Sequence, residues 1–288
     1  MKVGLIRVDG KFPNLALMKL SSFHKNQGDE VFLIDLSDMR LDRVYASQVF
    51  AGGTGFDMKG KLPDEIEHLM PDYDLFKTDF SIGFTSRGCI RDCKFCIVRE
   101  KEGHIREHAW FEEFLAHEKV IIMDSNFLAS PLWRKKLEFL AARKVKVNFS
   151  QGIDLRLVDE EKARLLSNVK YYDWKFRRRR IHVAWDNVKD EKVIFKGLEI
   201  LSMYVPKKHI MCYVLVGFNT SLKQDIYRIL KLLKFGIAPF IMIYNNNPNG
   251  ELHRLARWIN RRYYKVVDWK DFQRNGVVAS PLTGKGGA

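Results

Sequence analysis

The chain has 288 residues, which is enough for two domains or for one large α/β domain. Lysine and arginine outnumber aspartate and glutamate by 49 to 35, giving a formal net charge of +14, so a polyanion such as RNA is a candidate partner. No apolar stretch approaches the ~18 residues of a membrane span, and the first apolar run is too short for a signal peptide. We therefore expect a cytoplasmic protein with no membrane partner.

The first 77 residues predict a small, doubly wound α/β domain. A helix is predicted near residues 15 to 27, with Asn14 as its N-cap and Gly28 at its end. The apolar runs that predict strands are KVGLIRV (2–8), EVFLIDL (30–36) and RVYASQVF (43–50).

Between residues 78 and 250, six further apolar runs alternate with stretches that can form helices. The runs are FSIGFTS (80–86), KVIIMD (119–124), KVNFSQ (146–151), RIHVAWD (180–186), HIMCYVLVGF (209–218) and PFIMIYN (239–245). Such strands with helical crossovers predict a parallel sheet, which right-handed connections would curl into a partial (β/α)6 barrel. Residues 251–288 are predicted to form a helical extension with a loose tail, SPLTGKGGA.

Three of the four cysteines lie in one segment, TSRGCIRDCKFCIVREKEGH (85–104), with the spacing C-x-x-x-C-x-x-C. In a reducing cytosol, such cysteines are metal ligands or redox groups more often than disulfide partners. A structural zinc ion requires four ligands, and His104 is the available fourth because Cys212 lies within a predicted strand. An iron–sulfur cube held by three cysteines instead leaves one iron open to a substrate or cofactor.

The segment CIRDCKFC resembles the C-x-x-x-C-x-Φ-C signature of radical S-adenosylmethionine (SAM) enzymes, in which Φ is aromatic. Cys89, Cys93, Phe95 and Cys96 occupy the matching places, and residues 78–250 resemble the partial barrel of that superfamily. The resemblance implies that the cysteines bind three irons of a 4Fe-4S cluster and that SAM chelates the fourth. An electron from an external donor such as flavodoxin or ferredoxin would cleave SAM, releasing a 5′-deoxyadenosyl radical that abstracts hydrogen from a substrate.

The resemblance also implies cofactor contacts where the predicted strands end. After the second strand, where the superfamily often has a glycine-rich stretch, this chain has MDSNF. Asp124 is expected to accept a hydrogen bond from the SAM ammonium group, with Ser125 and Asn126 as polar contacts. The other expected contacts are Phe95 near the adenine, Ser150, Gln151 and Asp186 at the ribose or substrate, Arg156 at the SAM carboxylate, and Gly217 at the adenine.

Several of these residues also have an ordinary structural interpretation, which the sequence leaves open. Asp124 is a good cap for a helix that opens near Pro131. Arg156 could form a surface ion pair with Asp159 or Glu160. Phe95 could be a core aromatic residue and Gly217 a turn glycine.

A small doubly wound domain before such a barrel resembles the cobalamin-binding domain of one branch of the superfamily. Members that bind cobalamin commonly carry Asp-x-His-x-x-Gly, but the loop after the first strand here reads VDGKFPN. His24 and His68 lie elsewhere and are predicted to be surface residues. We therefore do not expect cobalamin, and Cys212 alone cannot supply a second cluster.

Two other functions fit the sequence: a nucleic-acid-binding protein stapled by zinc, and a scaffold that binds SAM without cleaving it.

RNA is a candidate substrate or carrier because basic and aromatic residues interleave in YYDWKFRRRRIHV (171–183) and HRLARWINRRYYKVVDWK (253–270). The second stretch equally predicts an amphipathic helix that buries Leu255, Trp258 and Ile259. The sequence indicates neither the reaction outcome, nor a catalytic residue, nor the oligomeric state.

Overall fold

The structure is a computed structural model that describes residues 1–8, 12–34, 40–47 and 62–275. The chain is an α/β protein with parallel sheets and helices, and it divides into two compact units. The first unit contains residues 1–91, 98–151 and 168–179, and the second contains 92–97, 152–167 and the chain from residue 180 onward. The tail SPLTGKGGA lies outside the described residues, as do residues 9–11 and the ends of two predicted strands, 35–36 and 48–50.

The first sheet of the first unit contains the N-terminal strands that the sequence predicts. They are β1 (Lys2–Arg7), β2 (Glu30–Leu33) and β3 (Arg43–Ser47), all parallel, in the order β2-β1-β3. Helix α1 (Leu15–Asn26) connects β1 to β2, and the Asn14 side chain caps it by accepting a hydrogen bond from the Leu17 N–H at 3.2 Å. Val3, Leu5 and Leu17 form a small core beneath this helix.

His24 and His68 differ from each other in exposure. His24 is 1% exposed, with Nδ1 2.7 Å from the Asp29 carboxylate and Nε2 3.0 Å from the Tyr45 hydroxyl. The prediction that His24 is a surface residue is therefore wrong, because both ring nitrogens find polar partners in the interior. His68 is exposed as predicted, and its Nδ1 lies 2.6 Å from the Glu113 carboxylate.

The second sheet of the first unit is also parallel, in the order β4-β7-β8-β9, while β5 and β6 form a short antiparallel pair. All residues of its first strand, and all but the first residue of the next two, are buried, as expected for parallel strands covered on both faces. In chain order the elements of the first unit are α2 (Asp64–Glu67), α3 (Tyr73–Phe76), β4 (Ser81–Gly83), β5 (Ser86–Arg87), α4 (Val98–Glu102), β6 (Arg106–Glu107), β7 (Lys119–Ile122), α5 (Trp133–Arg143), β8 (Lys146–Phe149) and β9 (Lys170–Tyr171). Helix α6 (Glu160–Asn168) lies between β8 and β9 in the sequence and belongs, except for its last residue, to the second unit.

The second unit contains a third parallel sheet, in the order β10-β11-β12. Its elements are β10 (Ile181–Ala184), α7 (Glu191–Tyr204), β11 (Ile210–Val216), α8 (Leu222–Phe235), β12 (Ala238–Ile243), α9 (Gly250–Asn260) and α10 (Trp269–Asn275). Helix α9 buries Leu255, Trp258 and Ile259, so the predicted amphipathic helix is confirmed.

All six strands predicted from residue 80 onward are present, and their parallel pairing is confirmed. They belong to two sheets, with the first three in β4-β7-β8-β9 and the last three in β10-β11-β12. Their closure into a partial barrel stays a proposal. The domain boundaries at residues 77 and 250 stay predictions. None of the helices in the described ranges combines the length and the apolar character needed to cross a membrane.

Candidate functional site

Cys89 follows β5 in a tight turn, and the residue before it, Gly88, can only be glycine. Gly88 has φ +79°, and a Cβ atom there would lie 2.2 Å from the His104 carbonyl oxygen. The Gly88 N–H donates to Glu102 Oε2 at 2.9 Å, and the Cys89 N–H donates to the Gly103 carbonyl oxygen at 3.2 Å. The end of α4 therefore fixes the backbone of the first cysteine.

The Cys89 sulfur lies among N–H donors. The Arg91 N–H lies 3.3 Å from Sγ, and the Asn126 amide nitrogen lies 3.5 Å from it. Hydrogen bonds to sulfur stabilise thiolates and tune the potentials of iron–sulfur clusters. Asn126, predicted from the sequence as a polar contact of the cofactor, is thus brought to the first cysteine.

Ser125 reaches the same turn through a residue that the sequence did not single out. Its hydroxyl donates to Glu102 Oε2 at 3.2 Å, and the Arg87 guanidinium donates to Glu102 Oε1 at 3.1 Å. Glu102 thus joins β5, the turn after it and the residues after β7. Its place in a run of charged residues gave no signal of this role.

Asp124 is buried and accepts hydrogen bonds from the two residues that lead into the turn. Its carboxylate accepts from the Thr85 N–H at 2.6 Å, the Thr85 hydroxyl at 2.5 Å and the Ser86 hydroxyl at 2.6 Å. Burial raises its pKa, and the hydrogen bonds from Ser86 and Thr85 and the charge of Lys136 offset this only in part. The interpretation of Asp124 as a helix cap is wrong, because α5 begins after Leu132 without a side-chain cap.

Lys136 supports the same strand ends from α5 and is fully buried. Its ammonium group donates to the Thr85 carbonyl oxygen at 3.2 Å and to the Ser130 hydroxyl at 2.7 Å, and it lies 2.6 Å from Glu107 Oε2. Burial raises the pKa of Glu107, but the hydrogen bonds from Lys136 and Ser130 outweigh this and lower it below its ordinary value. A lysine within a basic helical stretch is usually exposed, so the sequence did not indicate this role.

The other two cysteines of the motif belong to the second unit. Cys93 is half-buried and Cys96 is exposed, and the Cys96 N–H donates to the Cys93 carbonyl oxygen at 2.8 Å. Each of the three cysteines of the motif carries a thiol rather than half of a disulfide. Among the described residues, no group of three or more His, Cys, Asp or Glu side chains is arranged to hold a metal ion. Cys212 is fully buried in β11, as predicted, and burial raises the pKa of its thiol.

Phe95 packs within the second unit, beside the end of β11. Its ring centroid lies 5.7 Å from that of Phe218, which in turn lies 4.8 Å from that of Tyr244. Gly217, which precedes Phe218, has φ +76°, and a Cβ atom there would lie 2.7 Å from Leu252 Cδ1. The structure therefore places the two residues predicted to contact adenine at neighbouring positions.

Arg156 forms a fork with a carboxylate close to it in sequence. Its Nε and NH2 groups donate to Asp154 at 2.8 and 3.1 Å, and NH1 lies 3.3 Å from Asp190. Burial alone would lower the pKa of Arg156, but Asp154, with Cys93 and Asp190, raises it. The predicted pairing with Asp159 or Glu160 is wrong, since Asp159 pairs with Lys162.

Asp186 follows β10 and is half-buried. Among the described residues, its carboxylate accepts one hydrogen bond, from the Leu215 N–H at 3.3 Å. Burial raises its pKa, and the Leu215 hydrogen bond and the charges of Arg228 and Arg156 offset this only in part. Its carboxylate therefore keeps acceptor capacity for a ligand.

Ser150 and Gln151 follow β8. The Ser150 hydroxyl oxygen is buried and has no hydrogen-bond partner among the described residues, whereas Gln151 is exposed. A buried hydroxyl without a partner costs stability, which makes Ser150 a candidate for contact with a bound molecule.

No protein-family model matches this chain, and a search of curated proteins finds no match.

Proposed function

We propose that this chain is a radical SAM enzyme that holds one 4Fe-4S cluster through Cys89, Cys93 and Cys96. The observation that carries the proposal is the environment of the signature cysteines: three thiols at the signature spacing, outside any disulfide, with two N–H donors beside the Cys89 sulfur. The donor set fits such a cluster because thiolates are its usual ligands and N–H groups stabilise them.

The residues of the chain would bind and orient the cofactors. When bound, the cluster supplies an electron, received from an external donor such as flavodoxin or ferredoxin, for cleavage of SAM to methionine and a 5′-deoxyadenosyl radical that abstracts hydrogen from a substrate. We propose that Phe95 packs on the adenine and that Gly217, which has no side chain, lets the adenine approach the backbone closely. Asp186 would accept hydrogen bonds from ribose hydroxyls, and Ser150 and Gln151 would supply further polar contacts there.

Asp124 has contacts that favour a positioning role. Thr85 and Ser86 occupy both of its carboxylate oxygens, so that it holds the strand end that leads into Gly88 and Cys89. Its contact with the SAM ammonium group stays a prediction, as do the contacts of Ser125 and Asn126 with the cofactor and that of Arg156 with the SAM carboxylate. Arg156 would have to share its guanidinium group with Asp154.

The test is anaerobic reconstitution with iron and sulfide, followed by iron analysis, absorption and electron paramagnetic resonance spectra, and an assay for 5′-deoxyadenosine under reducing conditions. We expect one 4Fe-4S cluster per chain and its loss in Cys89→Ala, Cys93→Ala and Cys96→Ala, because two thiolates do not hold a stable cube. Cys212→Ala is the matched control, and its iron content should be unchanged. A full complement of iron in any one of the three motif variants would contradict the proposal.

One contact favours zinc as a second candidate ligand of this segment. The Gly103–His104 backbone packs directly against Gly88 and Cys89, so the backbone of the possible fourth ligand is close to the first cysteine. The His104 ring itself lies 2.8 Å, through Nε2, from the Arg99 guanidinium and would have to leave it to bind zinc. A colourless protein with one zinc ion that is lost in His104→Ala would establish the zinc-stapled alternative. A protein that contains the cluster and binds SAM, but forms no 5′-deoxyadenosine with any electron donor, would be the inactive scaffold.

We do not propose cobalamin, since both ring nitrogens of His24 already have partners.

A further inference from the structure

The loop after β9, residues 172–180, is held in a defined conformation by contacts among its own residues. The Asp173 N–H donates to the Arg178 carbonyl oxygen at 2.9 Å, and the Asp173 carboxylate accepts from the Arg177 N–H at 2.9 Å. Phe176 has φ +56°, which is uncommon for a residue with a side chain, and its ring is buried in a core cluster with Met18 and Ile82. The buried ring therefore fixes the loop.

This anchored loop presents an aromatic ring and three cations to solvent. Trp174 is 56% exposed, and Lys175, Arg177 and Arg178 are exposed beside it in the sequence. The Trp174 ring centroid lies 6.5 Å from that of Phe12, which is itself 37% exposed. We call Phe12, Trp174, Lys175, Arg177 and Arg178 the aromatic–basic surface.

The structure divides the run of four arginines into two pairs. The Arg179 guanidinium lies 3.9 Å from the centroid of the Tyr171 ring and donates to the Val169 carbonyl oxygen, so it is used within the protein. Arg180 is half-buried. Only Arg177 and Arg178 of this run are exposed, so these are the two arginines of the run that can meet phosphates at the surface.

Charge and ring geometry identify the kind of partner that fits this surface. The loop carries these three cations and one carboxylate, that of Asp173, so its net charge is positive. The Lys175 ammonium lies 4.8 Å from the Trp174 ring centroid. Guanidinium and ammonium groups neutralise phosphates, and an exposed indole stacks on an unpaired base. A protein partner would require a larger apolar area than two partly exposed rings supply.

The second basic and aromatic stretch lacks this combination. Trp258 is 3% exposed, and its indole N–H donates to the Val267 carbonyl oxygen at 2.8 Å. Arg254 and Arg257 are exposed on α9 without an exposed tryptophan beside them, and they therefore serve as a matched control.

We propose that the aromatic–basic surface binds single-stranded RNA, with Trp174 stacked on a base and Arg177 and Arg178 on phosphates. Binding does not depend on the iron–sulfur chemistry proposed above. Cys89→Ala, which we expect to lose the cluster, should bind RNA as the unchanged protein does, so the two proposals can fail separately.

The test uses the full chain and a fluorescent oligouridine of about 12 nucleotides, with anisotropy measured at ~50 mM salt. Trp174→Ala should weaken binding about 5- to 150-fold, the equivalent of ~1 to 3 kcal/mol for one stacked base, while Trp174→Phe keeps most of the affinity. Tyr227→Ala, which removes another exposed aromatic ring, should bind normally. Circular dichroism checks that each variant is folded.

The salt dependence tests the arginines. Each phosphate contact on a single strand contributes about 0.7 to the slope of log affinity against log salt, so Arg177→Ser/Arg178→Ser should make the slope shallower by about 1.4. Arg254→Ser/Arg257→Ser removes the same charge and should change the slope less. The proposal is overturned if RNA binding is undetectable at low salt, if Trp174→Ala binds normally, if the two double variants behave alike, or if a duplex binds more tightly than the single strand.

Discussion

Asp124 lies two residues after β7 in the first unit, and Asp186 lies two residues after β10 in the second. Both follow a buried parallel strand, and burial raises the pKa of both. Their partners differ: Asp124 accepts three hydrogen bonds from Thr85 and Ser86, whereas Asp186 accepts one, from Leu215, among the residues that the structure describes.

This difference separates a structural carboxylate from one that can serve a ligand. The end of a parallel strand is where ligand-binding groups gather, and both positions satisfy that rule. Position alone therefore does not identify a binding residue, because a carboxylate at such a position can instead accept hydrogen bonds from residues of a neighbouring strand end. The free acceptor capacity of the side chain decides between the two roles.

The largest expected effect is that of Asp124→Ala on stability. The substitution leaves the Thr85 N–H and two hydroxyl groups without their acceptor in a buried site and removes the negative charge near Lys136, so we expect a loss of about 3 to 5 kcal/mol in the free energy of unfolding. Urea denaturation measures this loss. A contact with the SAM ammonium group alone would make the loss of SAM binding the larger effect of the substitution, whereas the contacts with Thr85 and Ser86 make the loss of stability the larger one.

Asp186→Ala is the matched control for Asp124→Ala. It removes one long hydrogen bond, so its cost in the same assay should be less than half as large. Equal losses in the two variants would contradict the distinction between the two carboxylates.

The strands could be predicted from the sequence because they are long apolar runs. All six runs from residue 80 onward became strands, and their ends differ from the prediction by only a few residues. β9 was not predicted, since its two residues, Lys170 and Tyr171, are too few to show a pattern. The grouping into two sheets depends on strand pairing, which an apolar run does not encode.

The polar contacts of the candidate site could be predicted only in part. Asn126 and Ser125 were predicted as polar contacts because they follow a strand, and the structure brings Asn126 to Cys89 and Ser125 to Glu102. Lys136 was missed because its partners, Thr85 and Glu107, are distant in sequence and come together only in the fold. His24 was assigned to the surface for the same reason, since its partner Tyr45 lies on β3, distant in sequence from α1.

A smaller effect, with the opposite sign, is expected from Asp186→Asn. A carboxyl group whose pKa is raised in the folded state binds more protons there, so stability falls as the pH rises from about 4 through the raised pKa. The amide cannot ionise but still accepts from Leu215. Asp186→Asn should therefore gain stability relative to the unchanged protein between pH ~4 and pH ~7, measured by urea denaturation at both values.

Asp124→Asn provides the comparison. One amide oxygen cannot replace two carboxylate oxygens that accept three hydrogen bonds, so this variant should be destabilised at both pH values. If the stability of Asp186→Asn changed with pH as that of the unchanged protein does, the raised pKa of Asp186 would not explain the pH dependence of stability.

The smallest effect on stability is expected at Ser150, the strand-end residue with the least satisfied side chain. Its hydroxyl oxygen is buried and has no partner among the described residues, whereas the Ser86 hydroxyl donates to Asp124 at 2.6 Å. Ser150→Ala should leave the free energy of unfolding unchanged or raise it by up to about 1 kcal/mol, because it removes a polar group that water solvates in the unfolded chain. Ser86→Ala should lower it by about 1 to 2 kcal/mol, because it deprives a buried carboxylate of a donor.

SAM affinity, measured by calorimetry on reconstituted protein, should respond differently. If the Ser150 hydroxyl contacts SAM as proposed, Ser150→Ala weakens binding about 5- to 10-fold, which corresponds to one neutral hydrogen bond. Equal stability losses in Ser150→Ala and Ser86→Ala would show that the Ser150 hydroxyl has a partner within the folded chain. Unchanged stability together with unchanged SAM affinity would remove Ser150 from the binding site and leave Asp186 as the strand-end residue with acceptor capacity for the ribose.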